Sequence, residues 1–217
     1  MLYALAAHAP FSAPTIIPAA AIDAEIPFLP WAAWPYATYV FLLPALALFA
    51  SKLASFNRVL LTAISTALAN AVVYLAWPTA LAARTEAPAG TLLALIQRLD
   101  TTMCALPSGH VSLPTAITIA ALLASFDVPA SAGTYWRRLA FGFALWTVVL
   151  AASTLLTRQH YVVDVVAGAI FGLAIGNFAG GGQVYVIGRE RGTHAGAPSL
   201  RTDGFRSGRV RVTWQRS

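Results

Sequence analysis

The chain has 217 residues, of which 58% are apolar and only 10% charged. A soluble domain carries about 25% charged residues, so this composition excludes a water-covered globular fold. The formal net charge of +6 gathers in short stretches between long apolar runs.

Residues 1–32 come first and do not read as a cleaved leader. No Lys or Arg precedes the apolar residues, and Pro10, Pro14 and Pro18 interrupt them. They are expected to form an irregular extracytoplasmic or interfacial segment, or else a short or re-entrant helix near residues 12–22. Pro27, Pro30, Trp31 and Trp34 then lead into the membrane at the interface, where Trp is favoured.

Five apolar runs follow: Ala33 to Ala50, Val59 to Trp77, Val111 to Phe126, Leu139 to Leu156, and Tyr161 to about Ala179. About 20 apolar residues span a bilayer core, and backbone groups in lipid must be satisfied within their own segment. The expected fold is therefore an all-α polytopic bundle of about five membrane-spanning helices over 33–182. None of the runs alternates apolar and polar residues, which disfavours a membrane barrel.

Residues 183–217 are Gly- and Arg-rich and are expected to be a basic, disordered cytoplasmic tail. If all five helices cross, eleven Lys and Arg residues fall on one side and three on the other: Arg84, Arg98 and Arg158. Positive residues mark the cytoplasmic side, so the N-terminus is expected outside and the C-terminus inside. Beside a membrane helix the basic tail reads as an orientation signal in contact with anionic lipid, not as a nucleic-acid surface. A single cysteine, Cys104, permits no internal disulfide and reads as a small buried residue. The carboxylates are scattered, so no two-metal site is expected.

Two stretches carry chemistry. Leu106-Pro107-Ser108-Gly109-His110 opens the third helix. Pro107 stops the helix running backwards, Ser108 can cap it, and free N–H groups at its start can receive an anion. The second stretch runs from Ser153 to Asp164 and joins the last two helices. His160 and Asp164 lie four residues apart, so on a helix they would share a face. The carboxylate could then orient the imidazole and leave Nε2 free as base or nucleophile. Arg158 is close enough in sequence to help hold a phosphate. Asp164 is the acid inside an apolar run, and such a residue is a functional candidate by default. The topology brings both stretches to one side of the membrane. Gly168, Gly172, Gly176 and Gly180 repeat at steps of four and offer a ridge for close helix packing.

These motifs resemble the type 2 phosphatidic acid phosphatase superfamily over about residues 25–182. Pro107-Ser108-Gly109-His110 fits one family motif fully. Ser153, His160 and Asp164 fit another, with Thr154 standing where an Arg is usual. Arg84, after Trp77-Pro78, is the one candidate for the remnant of an earlier Arg-containing motif. Thr157 to Asp164, with Ile26-Pro27-Phe28-Leu29-Pro30, is similar to the branch of inositolphosphoryl-ceramide and sphingomyelin synthases. The resemblance implies a metal-free, cofactor-free phosphohistidine mechanism on a lipid phosphate. His160 would be the nucleophile, Asp164 its orienting partner and His110 the acid and base. Ser108, Gly109, Arg158 and Arg84 would hold the phosphoryl oxygens. Hydrolysis is the leading expectation, with head-group transfer to an alcohol the alternative and transport a more distant one. Lipid identity and oligomeric state are not legible in the sequence.

Overall fold

The computed structural model describes residues 7, 12–49, 53–126 and 130–181. The expected basic tail at 183–217 lies outside them, as does most of the segment before residue 12.

Among the described residues, four helices are long and apolar enough to cross a membrane. The first, α2 (Pro30–Leu48), alternates short α and 3-10 turns, with 3-10 stretches at Thr38–Phe41 and Leu46–Phe49. Pro35 and Pro44 explain this, since each removes an amide donor from the i→i−4 ladder. Next comes α3 (Leu53–Ala76), which begins earlier than its apolar run because Leu53 to Phe56 continue the helix. The last two are α6 (Ala130–Leu156) and α7 (Val162–Gly181).

The third apolar run differs from the others. It forms α5 (Gly109–Ala124), only 16 residues long. At 1.5 Å per residue it covers about 24 Å, short of the roughly 30 Å of a hydrocarbon core. It is nonetheless the central helix. Val111, Ala116, Ile117, Ala120, Ala121 and Ala124 are all buried, and α3, α6 and α7 all pack on it. Its far end carries the main apolar core, where Ile117, Ala120 and Ala124 meet Leu42, Val59, Trp136 and Phe143. Its N-terminal end is left for the polar residues.

The tightest contact is between α5 and α7. A Cβ built on Gly168 would lie 2.6 Å from the Ser108 carbonyl oxygen, and one on Gly172 would fall on the Ser112 carbonyl. At Gly176 it would meet Ile119 and Ala116, and at Gly180 Ala120. The glycine ridge therefore faces α5 along its whole length.

At the N-terminal end of α5 the connecting segments knit together. β1 (Thr15–Ile17) pairs in parallel with β2 (Thr79–Leu81), in the register Thr15↔Thr79. Ala80 also bridges to Met103. Ile17, Leu81, Ala105 and Tyr161 form a small apolar cluster beneath. Within residues 12–32 the expected irregular segment thus holds a strand. The helix foreseen near 12–22 forms instead at α1 (Ala21–Glu25), after the Pro18 breaker. A short amphipathic helix, α4 (Leu92–Leu99), is capped by the Thr91 hydroxyl on the Ala94 amide.

The ridge makes a graded test. Gly172→Ala places a methyl against α5 backbone, which cannot yield as a side chain would, and should cost roughly 1–3 kcal/mol. Gly142→Ala on α6, where an added Cβ meets nothing within 4 Å, should leave stability unchanged or slightly raised. Thermal unfolding in detergent checks both, and equal melting of the two variants would contradict the packing.

Candidate active site

Ser108 ends the loop that enters α5, and its backbone, not its side chain, does the joining. Its amide donates to the Asp164 carbonyl at 3.0 Å, while its own carbonyl accepts from Val111 and Ser112. Ser108 occupies the N-cap position, but its hydroxyl makes no capping bond. The Oγ is buried without a protein partner. That corrects the expectation of a side-chain cap and leaves a hydroxyl available to a ligand. Gly109 follows, and a Cβ there would sit 3.2 Å from the Tyr74 hydroxyl. That hydroxyl donates to the Pro107 carbonyl at 2.6 Å.

His110 is gripped by aromatic rings. Tyr36 and Tyr39 of α2 stack at centroid distances of 4.6 and 4.4 Å. The Tyr39 hydroxyl also donates to the Gly109 carbonyl at 3.4 Å. One turn on, Pro114 cannot return an amide to the His110 carbonyl, which relaxes the helix at this position.

The second stretch does not place its histidine as sequence spacing suggested. His160 lies in the turn before α7 instead of on the helix. Ser153, Thr154 and Thr157 end α6 with their hydroxyls donating to backbone carbonyls. The amides of Gln159 and His160 both converge on the Thr154 carbonyl. Arg158 takes a left-handed conformation, φ 56°, to make this reversal. The turn brings His160 Nδ1 to 3.5 Å from Asp164 Oδ2. Asp164 is fully buried, and the same Oδ2 accepts the Tyr161 amide at 2.9 Å. The carboxylate thus serves two roles at once. It caps the start of α7 and backs the imidazole.

His110 and His160 face each other with ring centroids 5.7 Å apart. Both line a cavity of about 830 Å³. Its upper wall is polar, with Asp100, Thr101, Thr102 and Gln159. Its lower wall runs down α3 through Tyr74, Ala71, Asn70, Leu68 and Ala67. Leu68 and Leu99 line the cavity and are exposed at 49% and 76%.

The two candidate arginines stand back from it. Arg158 donates from Nη2 to the Ile26 carbonyl at 2.5 Å, tying down the N-terminal segment. Arg84 donates to Gln159 Oε1 at 3.1 Å and to the carbonyls of Gln97 and Asp100. Among the residues that line the cavity there is no Lys or Arg. Gln159, which does line it, links Arg84 to the site. Cys104 is buried in the same wall, and burial, reinforced by the Asp100 carboxylate, pushes its thiol up to about 12. It is a neutral, unreactive thiol at physiological pH.

Sequence reasoning missed Tyr36, Tyr39, Tyr74, Asn70 and Gln159. The tyrosines and Asn70 sit in apolar runs far from either motif, where nothing local marks them. Gln159 carried a signal, being an amide beside His160 at a membrane boundary.

Residues 74–180 match the family model of the PAP2 superfamily. The chain belongs to that superfamily. The matched segment holds Pro107 to His110, Ser153 to Asp164 and the glycine ridge, and stops short of α2 and the N-terminal segment. No curated protein and no solved structure gave a match. PAP2 membership supports a phosphatase or phosphotransferase type of activity, and the four long apolar helices support a membrane protein.

Proposed function

We propose that this PAP2 protein is an integral membrane lipid phosphate phosphatase that works through a phosphohistidine, without a metal. One observation carries the reading: the histidines of two separate motifs face one another across a single cavity, with a buried carboxylate behind one of them.

His160 Nε2 attacks phosphorus as the bond to the leaving oxygen breaks. Asp164 holds the ring through Nδ1 and stabilises the charge that develops on it. His110 hands its proton to the departing alcohol. In the second step His110 takes a proton from water, the water oxygen bonds to phosphorus, and the N–P bond breaks. Phosphate leaves and both histidines are restored. The Ser108 hydroxyl and the N–H groups opening α5 stabilise phosphoryl oxygens, with Arg84, Arg158 and Gln159 adding field from behind. The exposed apolar side chains of Leu68 and Leu99 in the cavity lining support a substrate with an apolar tail.

One observation favours transfer of a head group to an alcohol instead. The cavity lining includes Asp100 and no cation, which suits the single charge of a phosphodiester better than the double charge of a monoester. The extracytoplasmic side is read from the eleven-to-three distribution of Lys and Arg. An impermeant maleimide should label a Glu86→Cys, Cys104→Ser variant on intact cells. Labelling only after lysis would reverse the orientation.

The reaction itself is tested with a labelled lipid phosphate in detergent, with and without inositol or other alcohol acceptors. Wild-type protein should release free phosphate with no acceptor present. His160→Ala should lose more than about 10⁴-fold in kcat, and His110→Ala roughly 10²–10⁴-fold. Asp164→Asn should fold yet turn over slowly. Wild-type turnover in His160→Ala would remove the mechanism, and label that moves only onto an added alcohol would establish the transferase.

A further inference from the structure

The turn that carries His160 is held from outside the matched segment. Asp23, in α1, is 139 residues away in sequence and buried at 5% exposure. Its Oδ1 accepts the Val162 amide at 2.8 Å, and its Oδ2 accepts the Ala20 amide at 2.7 Å. Val162 is the first residue of α7, so its N–H has no carbonyl within the helix to receive it. The neighbouring Tyr161 amide is taken by Asp164. Two carboxylates, one from the N-terminal segment and one from the helix's own first turn, thus take the amides of Val162 and Tyr161 at the start of α7. Both also complement the positive end of its dipole.

The rest of the same segment grips the same turn. The Ile26 carbonyl accepts Arg158, offsetting the cost of its left-handed backbone, and the Leu29 amide donates to the Leu156 carbonyl. Residues 20–29 therefore hold positions 156, 158 and 162, bracketing His160 on both sides. Asp23 does not line the cavity. Any effect it has on the reaction must pass through the turn.

We infer that Asp23 is a positioning residue: by capping α7 from the N-terminal segment, it fixes Asp164 against His160. The inference rests on His160 being the nucleophile. Without Asp23 the Val162 amide loses its acceptor and the first turn of α7 frays. Asp164 Oδ2, which accepts the Tyr161 amide and lies 3.5 Å from the imidazole Nδ1, then loses its fixed position. A displacement of about 1 Å at a reacting group can cost about 10²-fold in rate.

The test uses the full chain in detergent with dioctanoyl phosphatidic acid, following both turnover and hydrogen exchange at the Tyr161 and Val162 amides. Asp23→Ala should lower kcat about 10²-fold while KM stays within about twofold, because substrate contacts are untouched. Asp23→Asn should recover much of the rate, since its Oδ1 still accepts Val162. Exchange at Tyr161 and Val162 should rise in Asp23→Ala. Tyr135→Phe serves as the control for a hydrogen bond lost elsewhere, since it removes the bond to the Leu48 carbonyl at the other end of the bundle. It should change neither readout. Wild-type kcat in Asp23→Ala, a loss carried wholly by KM, or an equal loss in Tyr135→Phe would each overturn the inference. If the wild-type protein releases no phosphate from this lipid, the proposed reaction is what fails, and exchange then decides. Faster exchange confined to residues 157–164 upholds the role of Asp23, and unchanged exchange overturns it. If Asp23→Ala does not fold, Asp23→Asn carries both readouts through a smaller change in the same direction.

Discussion

Because Gly168 and Gly172 have no side chains, the backbones of α5 and α7 approach until the Ser108 amide bonds the Asp164 carbonyl. That one bond joins the two chemical stretches of the chain. Everything polar in the site is then arranged around it. Ser108 and His110 follow on one side, while Asp164 and the turn to His160 follow on the other. A methyl group at either glycine would push the two motifs apart through their backbones.

The ends of the bundle divide the work. Apolar residues of α2, α3, α5 and α6 fill one end as a packed core. The other end is held by hydrogen bonds among loops, a two-stranded pairing and helix caps. A short α5 leaves the loop from Asp100 to Ala105 to line the same cavity as His110. Tyr36 and Tyr39 pack against the His110 ring from α2.

Much of this was legible in the sequence, for physical reasons. Apolar runs of membrane length can only be helices, so the all-α bundle followed from composition. His110, His160 and Asp164 stood out because ionisable groups are rare in such runs. The glycine steps of four already implied a packing ridge. What could not be read depends on tertiary contact. Nothing near Asp23 in the sequence marks it, because its partner Val162 is 139 residues away. The i, i+4 spacing of His160 and Asp164 suggested a shared helical face, but Arg158 breaks the helix and the pair meets through a turn instead. Arg158 itself read as a phosphate ligand from its position, whereas its guanidinium is held by the Ile26 carbonyl. The Ser108 side-chain cap failed likewise, since the Val111 amide it would have received goes to the Ser108 carbonyl.

The central claim is that phosphorus passes through His160. Rapid mixing of protein with a ³²P-labelled lipid phosphate, followed by alkaline denaturation and peptide mass spectrometry, tests it directly. The account expects a base-stable, acid-labile phosphoryl group on His160 that forms within a turnover and decays as phosphate appears. Replacing His110 should slow both its formation and its decay, since His110 serves as acid in the first step and base in the second. Turnover without label on His160, or label on His110 instead, would contradict the assignment of roles.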